Sequence, residues 1–185
     1  MQPALFLDRD GVIIENRADY VLSWSDVSFY PQALTALARI RKAPYLIVLV
    51  TNQSAVGRGL ISLESAQEIN RRIVEKVEQS GGRIDNVYMC PHSPSQDCEC
   101  RKPRPGLFNQ AQEELSLDLA QSTMIGDALT DLMAAKAAGI GRMGLVLTGR
   151  GADQVLLPEA AQLAPISMYA HLQAALEDLI PFINR

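Results

Sequence analysis

The sequence predicts an α/β fold, a doubly wound parallel sheet with helices on both faces. Three observations carry that expectation. Short apolar runs alternate with segments of helical spacing from Ala4 to about residue 150, the order that builds a parallel sheet. Several runs are continuously apolar rather than alternating, as strands buried on both faces require. A chain of 185 residues, 48% of them hydrophobic, is also long enough to bury one core, and no repeat or low-complexity tract divides it.

The elements follow in order. Ala4 to Leu7 is the first strand and ends at Asp8. After Pro31, the residues Leu34, Leu37, Ala38 and Ile40 fall at helical spacing. Leu46 to Val50 is the strongest strand, and a second helix follows Ser62 with Leu63, Ala66, Ile69, Ile73, Val74 and Val77 on its apolar side; Gly81 and Gly82 stop it. Then come a strand over Val87 to Met89, a helix over Leu107 to Leu115, a strand over Thr123 to Ile125, a helix over Leu129 to Ala138 stopped by Gly139, and a strand over Gly144 to Leu147. From Gly149 the tail carries Pro158 and Pro165 and reads as irregular before a last helix containing Leu172, Leu176 and Leu179, with packing work only. One domain is expected over 1–185, a core of 4–150 and a C-terminal packing segment of 151–185.

Composition excludes several classes of partner. The longest apolar run, Tyr45 to Val50, is six residues, against the ~20 that span a bilayer as a helix. Nothing at the amino terminus, MQPALFLDRDG, resembles a secretory leader, so a cytoplasmic location is expected. A net charge of −4 argues against a grip on nucleic acid or an anionic membrane. Any anionic ligand must therefore be held by local chemistry.

Four constellations follow predicted strands, where ligands collect in doubly wound sheets. Asp8-Arg9-Asp10-Gly11 ends the first. Two carboxylates at i and i+2 suit a nucleophile and a proton carrier, or jointly a cation, although Asp and Gly are equally at home in a solvated turn. Thr51-Asn52-Gln53-Ser54 ends the second, where hydroxyl, amide and backbone N–H groups suit phosphate oxygens; a polar turn has the same residues. The third is Cys90, His92, Cys98 and Cys100, a CxH and CxC pair five residues apart. Three thiolates and an imidazole complete a closed tetrahedral Zn²⁺ site, which would order the loop rather than perform chemistry. Arg101 and Lys102 follow at once; a charge run is usually a solvated face, but a metal-pinned loop would deliver them to the same edge as an oxyanion fork and a point charge. The fourth is Gly126-Asp127-Ala128-Leu129-Thr130-Asp131, in which Asp127 would join Asp8 around Mg²⁺. Asp131 either orients its neighbours or favours the helix start through the dipole. His171 reads as a surface or packing histidine. Together the four suggest phosphoryl transfer.

The DxDG, TN, K-before-P and GDxxxD elements, in that order, resemble the haloacid dehalogenase-like phosphatase superfamily over residues 4 to about 150. The Cys/His loop followed by RKPxPG is similar to the heptose 1,7-bisphosphate 7-phosphatases and the related histidinol-phosphatases. That resemblance implies a Mg²⁺-dependent phosphomonoesterase with Asp8 as nucleophile and Asp10 as general acid and base. The metal would be held by Asp8, the backbone carbonyl of Asp10, and Asp127. Thr51 and Lys102 would stabilise the transferring phosphoryl group, while Asn52, Gln53, Ser54 and Arg101 bind substrate. The superfamily's cap domain is absent, because Val12 to Tyr30 and the helix after Ser62 are too short to form one. The site would then be open, with specificity supplied by Ile14 to Asp19 and the zinc loop. Ile14 stands where many heptose phosphatases have Asn, and the five-residue spacing matches histidinol-phosphatases. Pro105-Gly106, and the lack of any dehydratase-like segment, favour a heptose bisphosphate, hydrolysed by a monomer. A non-catalytic zinc module would instead tolerate Asn at Asp8, Asp10 and Asp127.

Overall fold

The computed structural model describes residues 1–180. All strand pairings in its six-stranded sheet are parallel: β1 (Ala4–Leu7), β2 (Leu46–Asn52), β3 (Asn86–Cys90), β4 (Thr123–Gly126), β5 (Arg142–Val146) and β6 (Met168–Tyr169). Their spatial order is β3-β2-β1-β4-β5-β6, so the winding reverses between β1 and β4. A crevice opens at the carboxyl ends of strands where such a reversal occurs. The doubly wound fold class expected from the sequence is the one found.

Alternation along β1 shows how the layers form. Leu5 and Leu7 face one side with Ile47 and Leu49 of β2, where they meet Leu37 of α1 (Pro31–Arg39), Ile69 and Ile73 of α3 (Leu63–Gln79), and Leu172 and Leu176 of α7 (Leu172–Leu179). Ala4 and Phe6 face the other side with Val48 and Val50, against Leu107, Phe108 and Ala111 of α4 (Gly106–Leu115) and Ala134 and Ala135 of α5 (Leu129–Ala137). Phe6 and Phe108 pack edge to face at 5.0 Å between ring centroids. Each such aromatic or leucine buried from water contributes about 1.5–3 kcal/mol.

Local chemistry sets the boundaries. Pro31 occupies the first turn of α1, Ser62 caps α3 by accepting from the Ser65 N–H at 3.1 Å, and Ser116 in the left-handed region ends α4. The helix α3 packs on the core through Ile69, Ile73 and Val77, so it is part of a sheet layer rather than a lid.

The structure corrects the sequence reading in several places. The strand β2 runs on through Thr51 and Asn52, and β5 starts at Arg142 and stops before Leu147. The one-turn helices α2 (Ser54–Gly57) and α6 (Gly151–Gln154), and the two-residue β6, are too short to leave a periodic signal. His171 is the N-cap of α7, where Nδ1 accepts from the Ala174 N–H at 3.3 Å. The tail also reaches the functional cleft, as described below; residues 181–185 of the expected packing segment lie outside the described residues.

Candidate active site

The reversal between β1 and β4 brings the first and fourth constellations side by side. Asp8 leaves β1 with its N–H on the Ile125 carbonyl at 3.0 Å. Lys102 reaches it from the segment between β3 and α4. Its ammonium donates to Asp8 Oδ1 at 2.8 Å and to the Val50 carbonyl at 2.7 Å, and pairs with Asp131 Oδ1 at 2.6 Å. All three donors are thus used, and Lys102, Asp8, Asp127 and Asp131 are all buried. Burial raises the Asp8 carboxyl to about 7, with the Asp131, Asp127 and Asp10 charges adding to it and Lys102 opposing. Burial works against the Lys102 ammonium, but the Asp131 and Asp8 carboxylates outweigh it and push its pKa up. Asp131 has a second duty: Oδ2 accepts from the Ala128 N–H at 3.0 Å, so it fixes both the start of α5 and the ammonium.

The loop holding Lys102 is anchored at both ends. Asn52, at the end of β2, accepts from the Lys102 N–H and donates to the Lys102 carbonyl, both at 3.1 Å. Upstream, Cys90 and Cys98 Sγ lie 3.5 Å apart, Cys98 and Cys100 Sγ 3.5 Å, His92 Nδ1 and Cys100 Sγ 3.3 Å, and Cys90 Sγ and His92 Nδ1 3.6 Å. A tetrahedral Zn²⁺ with 2.3 Å bonds has donor edges of about 3.8 Å, so these four atoms already approximate the corners of its coordination sphere. Arg101 Nη1 donates to the His92 carbonyl at 3.3 Å, tying the basic pair to that loop.

Asp127 is fully buried, and the backbone closes tightly around it. Gly11 (φ +81°) and Gly149 (φ +59°) both lie against its carboxylate, and a Cβ on either would overlap it. Thr148 Oγ1 donates to the Gly11 carbonyl at 2.6 Å, joining the loops after β5 and β1. The Arg150 N–H donates to Asp127 Oδ2 at 2.8 Å, and its guanidinium lies 3.3 Å from Oδ1. Burial and the neighbouring Asp131 raise the Asp127 carboxyl, against the pull of Arg150. Oxygens of Asp8, Asp127 and Asp131 lie within 4.8 Å of one another. Buried carboxylates in excess of nearby cations form a hard oxygen donor set, which fits Mg²⁺.

The cleft above these groups has a volume of about 410 Å³, lined by Asp8, Asp10, Asn16, Arg101, Lys102 and Arg150 among others. Asn16, Arg17 and Ala18 border it as the sequence reading expected of Ile14 to Asp19, whereas Ile14 itself is fully buried. Ser54 and Arg101 border it too. Thr51 is buried beside Asp8's strand, its hydroxyl accepting from Gln53 Nε2 at 2.8 Å. Asn52 and Gln53, expected to bind substrate, also border the cleft, but their amides are engaged inside the protein. Sequence reasoning missed Arg150, whose N–H and guanidinium both meet Asp127. A signal existed for Arg150, which follows a strand end just as the other groups do.

A doubly wound parallel sheet with an acidic cluster and a lysine at its switch point defines a class, and the chain belongs to it: the haloacid dehalogenase-like hydrolases. The family model described as HAD-hydrolase-like matches residues 99–172. The chain is a phosphatase, as its relatives are. It is 40% identical over 156 residues to the D-glycero-β-D-manno-heptose-1,7-bisphosphate 7-phosphatase of Vibrio cholerae, covering 80% of this chain and 83% of that one. With the enzyme of that name from Haemophilus ducreyi the identity is 37% over 188 residues, covering 98% of each. A crystal structure of the D,D-heptose 1,7-bisphosphate phosphatase from B. bronchiseptica, complexed with magnesium and phosphate, superposes with a TM-score of 0.88 at 34% identity, covering 97% of this chain and 99% of that one.

Proposed function

We propose that this phosphatase removes the 7-phosphate of D-glycero-D-manno-heptose 1,7-bisphosphate through an aspartyl phosphate on Asp8. The observation that carries the reading is the buried junction of Lys102 with Asp8 and Asp131 at the switch point. An ammonium so placed is fixed before substrate arrives, and it neutralises charge on a phosphoryl group without reorganising.

One carboxylate oxygen of Asp8 attacks phosphorus while the bond from phosphorus to the sugar oxygen breaks. Asp10 gives its proton to that leaving oxygen. The same carboxylate then takes a proton from water, which attacks phosphorus and releases inorganic phosphate and free Asp8. Thr51 and Lys102 stabilise the phosphoryl group, Lys102 through its charge because its three donors stay on Asp8, Asp131 and Val50. Mg²⁺ bound by Asp8, Asp127 and the Asp10 carbonyl would screen the repulsion between nucleophile and phosphate. Zn²⁺ held by Cys90, His92, Cys98 and Cys100 would be structural, keeping Arg101 and Lys102 at the cleft. Arg101, Asn16 and Arg17 on the cleft wall would meet the remainder of the substrate, with Ser54 at the phosphoryl end. The enzyme would work as a cytoplasmic monomer on a precursor of surface polysaccharide, and no helix of the described residues is long and apolar enough to cross a membrane.

The five-residue spacing between His92 and Cys98 favours histidinol phosphate as the competing substrate. Steady-state kinetics on both compounds decides between them. A higher kcat/KM for the heptose bisphosphate supports the proposal, and a preference above about tenfold for histidinol phosphate overturns it.

A further inference from the structure

Arg9 is the bulkiest of the fully buried side chains, yet phosphoryl transfer as described makes no use of it. Its donors account for the burial. Nε donates to Asp10 Oδ2 and Nη2 to Asp10 Oδ1, both at 3.0 Å, a two-point fork on one carboxylate. Nη2 also reaches Gln53 Oε1 at 2.9 Å. On the far side Nη1 donates to Asn70 Oδ1 at 2.7 Å.

Asn70 is 5% exposed and sits on α3, sixty-one residues away in sequence. Its Nδ2 faces Met89 Sδ of β3 at 3.4 Å, so its oxygen is left aimed at the guanidinium. Gln53 closes the ring, with Nε2 donating to Asp10 Oδ2 at 3.0 Å and to the Thr51 hydroxyl. A planar fork fixes the plane of the carboxylate it holds, but only if the guanidinium cannot swing about its own flexible stem. The contact to Asn70 removes that freedom from the side facing away from the cleft.

We propose that Asn70 is a positioning residue: acting through Arg9, it sets the plane of the Asp10 carboxyl group for proton transfer to the leaving oxygen. The inference rests on the reading above, in which Asp10 is the general acid. It makes a demand that a purely structural role does not. In the first half-reaction an alkoxide leaves only with the proton from Asp10, whereas 2,4-dinitrophenolate is a stable anion and departs without one. Loss of the relay must therefore slow the first substrate type and spare the second.

The test is single-turnover quench-flow on the full chain with Mg²⁺, following leaving-group release from the heptose bisphosphate and from 2,4-dinitrophenyl phosphate. Asn70→Leu is expected to slow sugar release about 10- to 100-fold, the range for misplacing one proton donor. Dinitrophenolate release should stay within about twofold of wild type, since no transition-state interaction with it is lost. Asn70→Asp keeps an oxygen facing Arg9 and should restore most of the sugar rate. Should Asn70→Leu fail to fold, Arg9→Lys, which keeps the charge but not the fork, reads the same split. Equal slowing of both substrates, or slowing of neither, overturns the proposal. Failure of the substrate reading looks different: wild type would then release dinitrophenolate but not the sugar. In that case the relay is read with whichever alkyl phosphate the wild type hydrolyses.

Discussion

Lys102 concentrates the chemistry of the site in one side chain, since its three donors serve Asp8, Asp131 and the end of β2 at once. Lys102→Ala would leave two buried carboxylates facing each other, so a stability loss of about 3–5 kcal/mol is expected by denaturant unfolding, together with near-complete loss of turnover. The Asp8 carboxyl gives a pH prediction. Burial pushes it up to about 7 in the folded chain from the ordinary carboxylate value of 3.8, so the folded state holds a proton that the unfolded state has lost between those values. Its contribution to stability is present below pH ~4 and lost as pH rises through ~7, and Asp127 shifts the same way. Metal-free protein should therefore melt at lower temperature at pH 8 than at pH 5.5, with Mg²⁺ narrowing the gap; a melting temperature that rises over that range contradicts the charge arrangement. At this scale the sequence made Asp8, Thr51 and Asp127 legible because each follows a short apolar run, and Lys102 because it follows the Cys/His cluster. Arg9 and Asn70 were not legible. An arginine between two aspartates reads as solvated, and only the packing of α3 reveals that it is enclosed.

Among the elements, the loop from Cys90 to Lys102 matters most, because it spans from β3 to the cleft while Asn52 clamps its last turn. Ordering that loop without an ion would set thiols 3.5 Å apart with nothing between them. Elemental analysis is expected to find one Zn²⁺ per chain, and Cys98→Ser should lower both the melting temperature and kcat, since the loop delivers Lys102 as well as itself. Unchanged kcat in metal-depleted Cys98→Ser would uncouple the loop from catalysis. Gly11 supplies the other element-scale prediction. Gly11→Ala places a Cβ into the Asp127 carboxylate at a positive φ, and the expected cost is about 1–3 kcal/mol with loss of Mg²⁺ affinity by calorimetry. Helices of two or more turns, and strands of three or more residues flanked by turn or helix signals, were readable from the sequence. The single turns α2 and α6 were not, because a helix of barely one repeat shows no period to detect.

For the molecule as a whole, the fold explains how an acidic protein brings cationic side chains to the wall of its cleft. The winding reversal gathers Arg101, Lys102 and Arg150 from distant parts of the chain onto one edge, with Arg17 on the loop above. Such a cleft attracts a bisphosphate by field as well as by contact, so KM for the bisphosphate should rise with ionic strength more steeply than KM for a monophosphate. Equal salt dependence would assign the arginines no part in binding. The fold class and the common edge were legible in advance from the alternation of elements. The involvement of the tail was legible only in part: Arg150 follows a strand end, but Gly149 acts through close backbone approach to Asp127 rather than through any motif. The central claim is that Asp8 itself receives the phosphoryl group. Acid-quenched protein, taken during turnover of the heptose bisphosphate with Mg²⁺ and mapped by mass spectrometry, should carry one phosphoryl group on the peptide containing Asp8, and none in Asp8→Asn. A phosphoryl group on another residue, or Asp8→Asn turning over at the wild-type rate, would contradict the account.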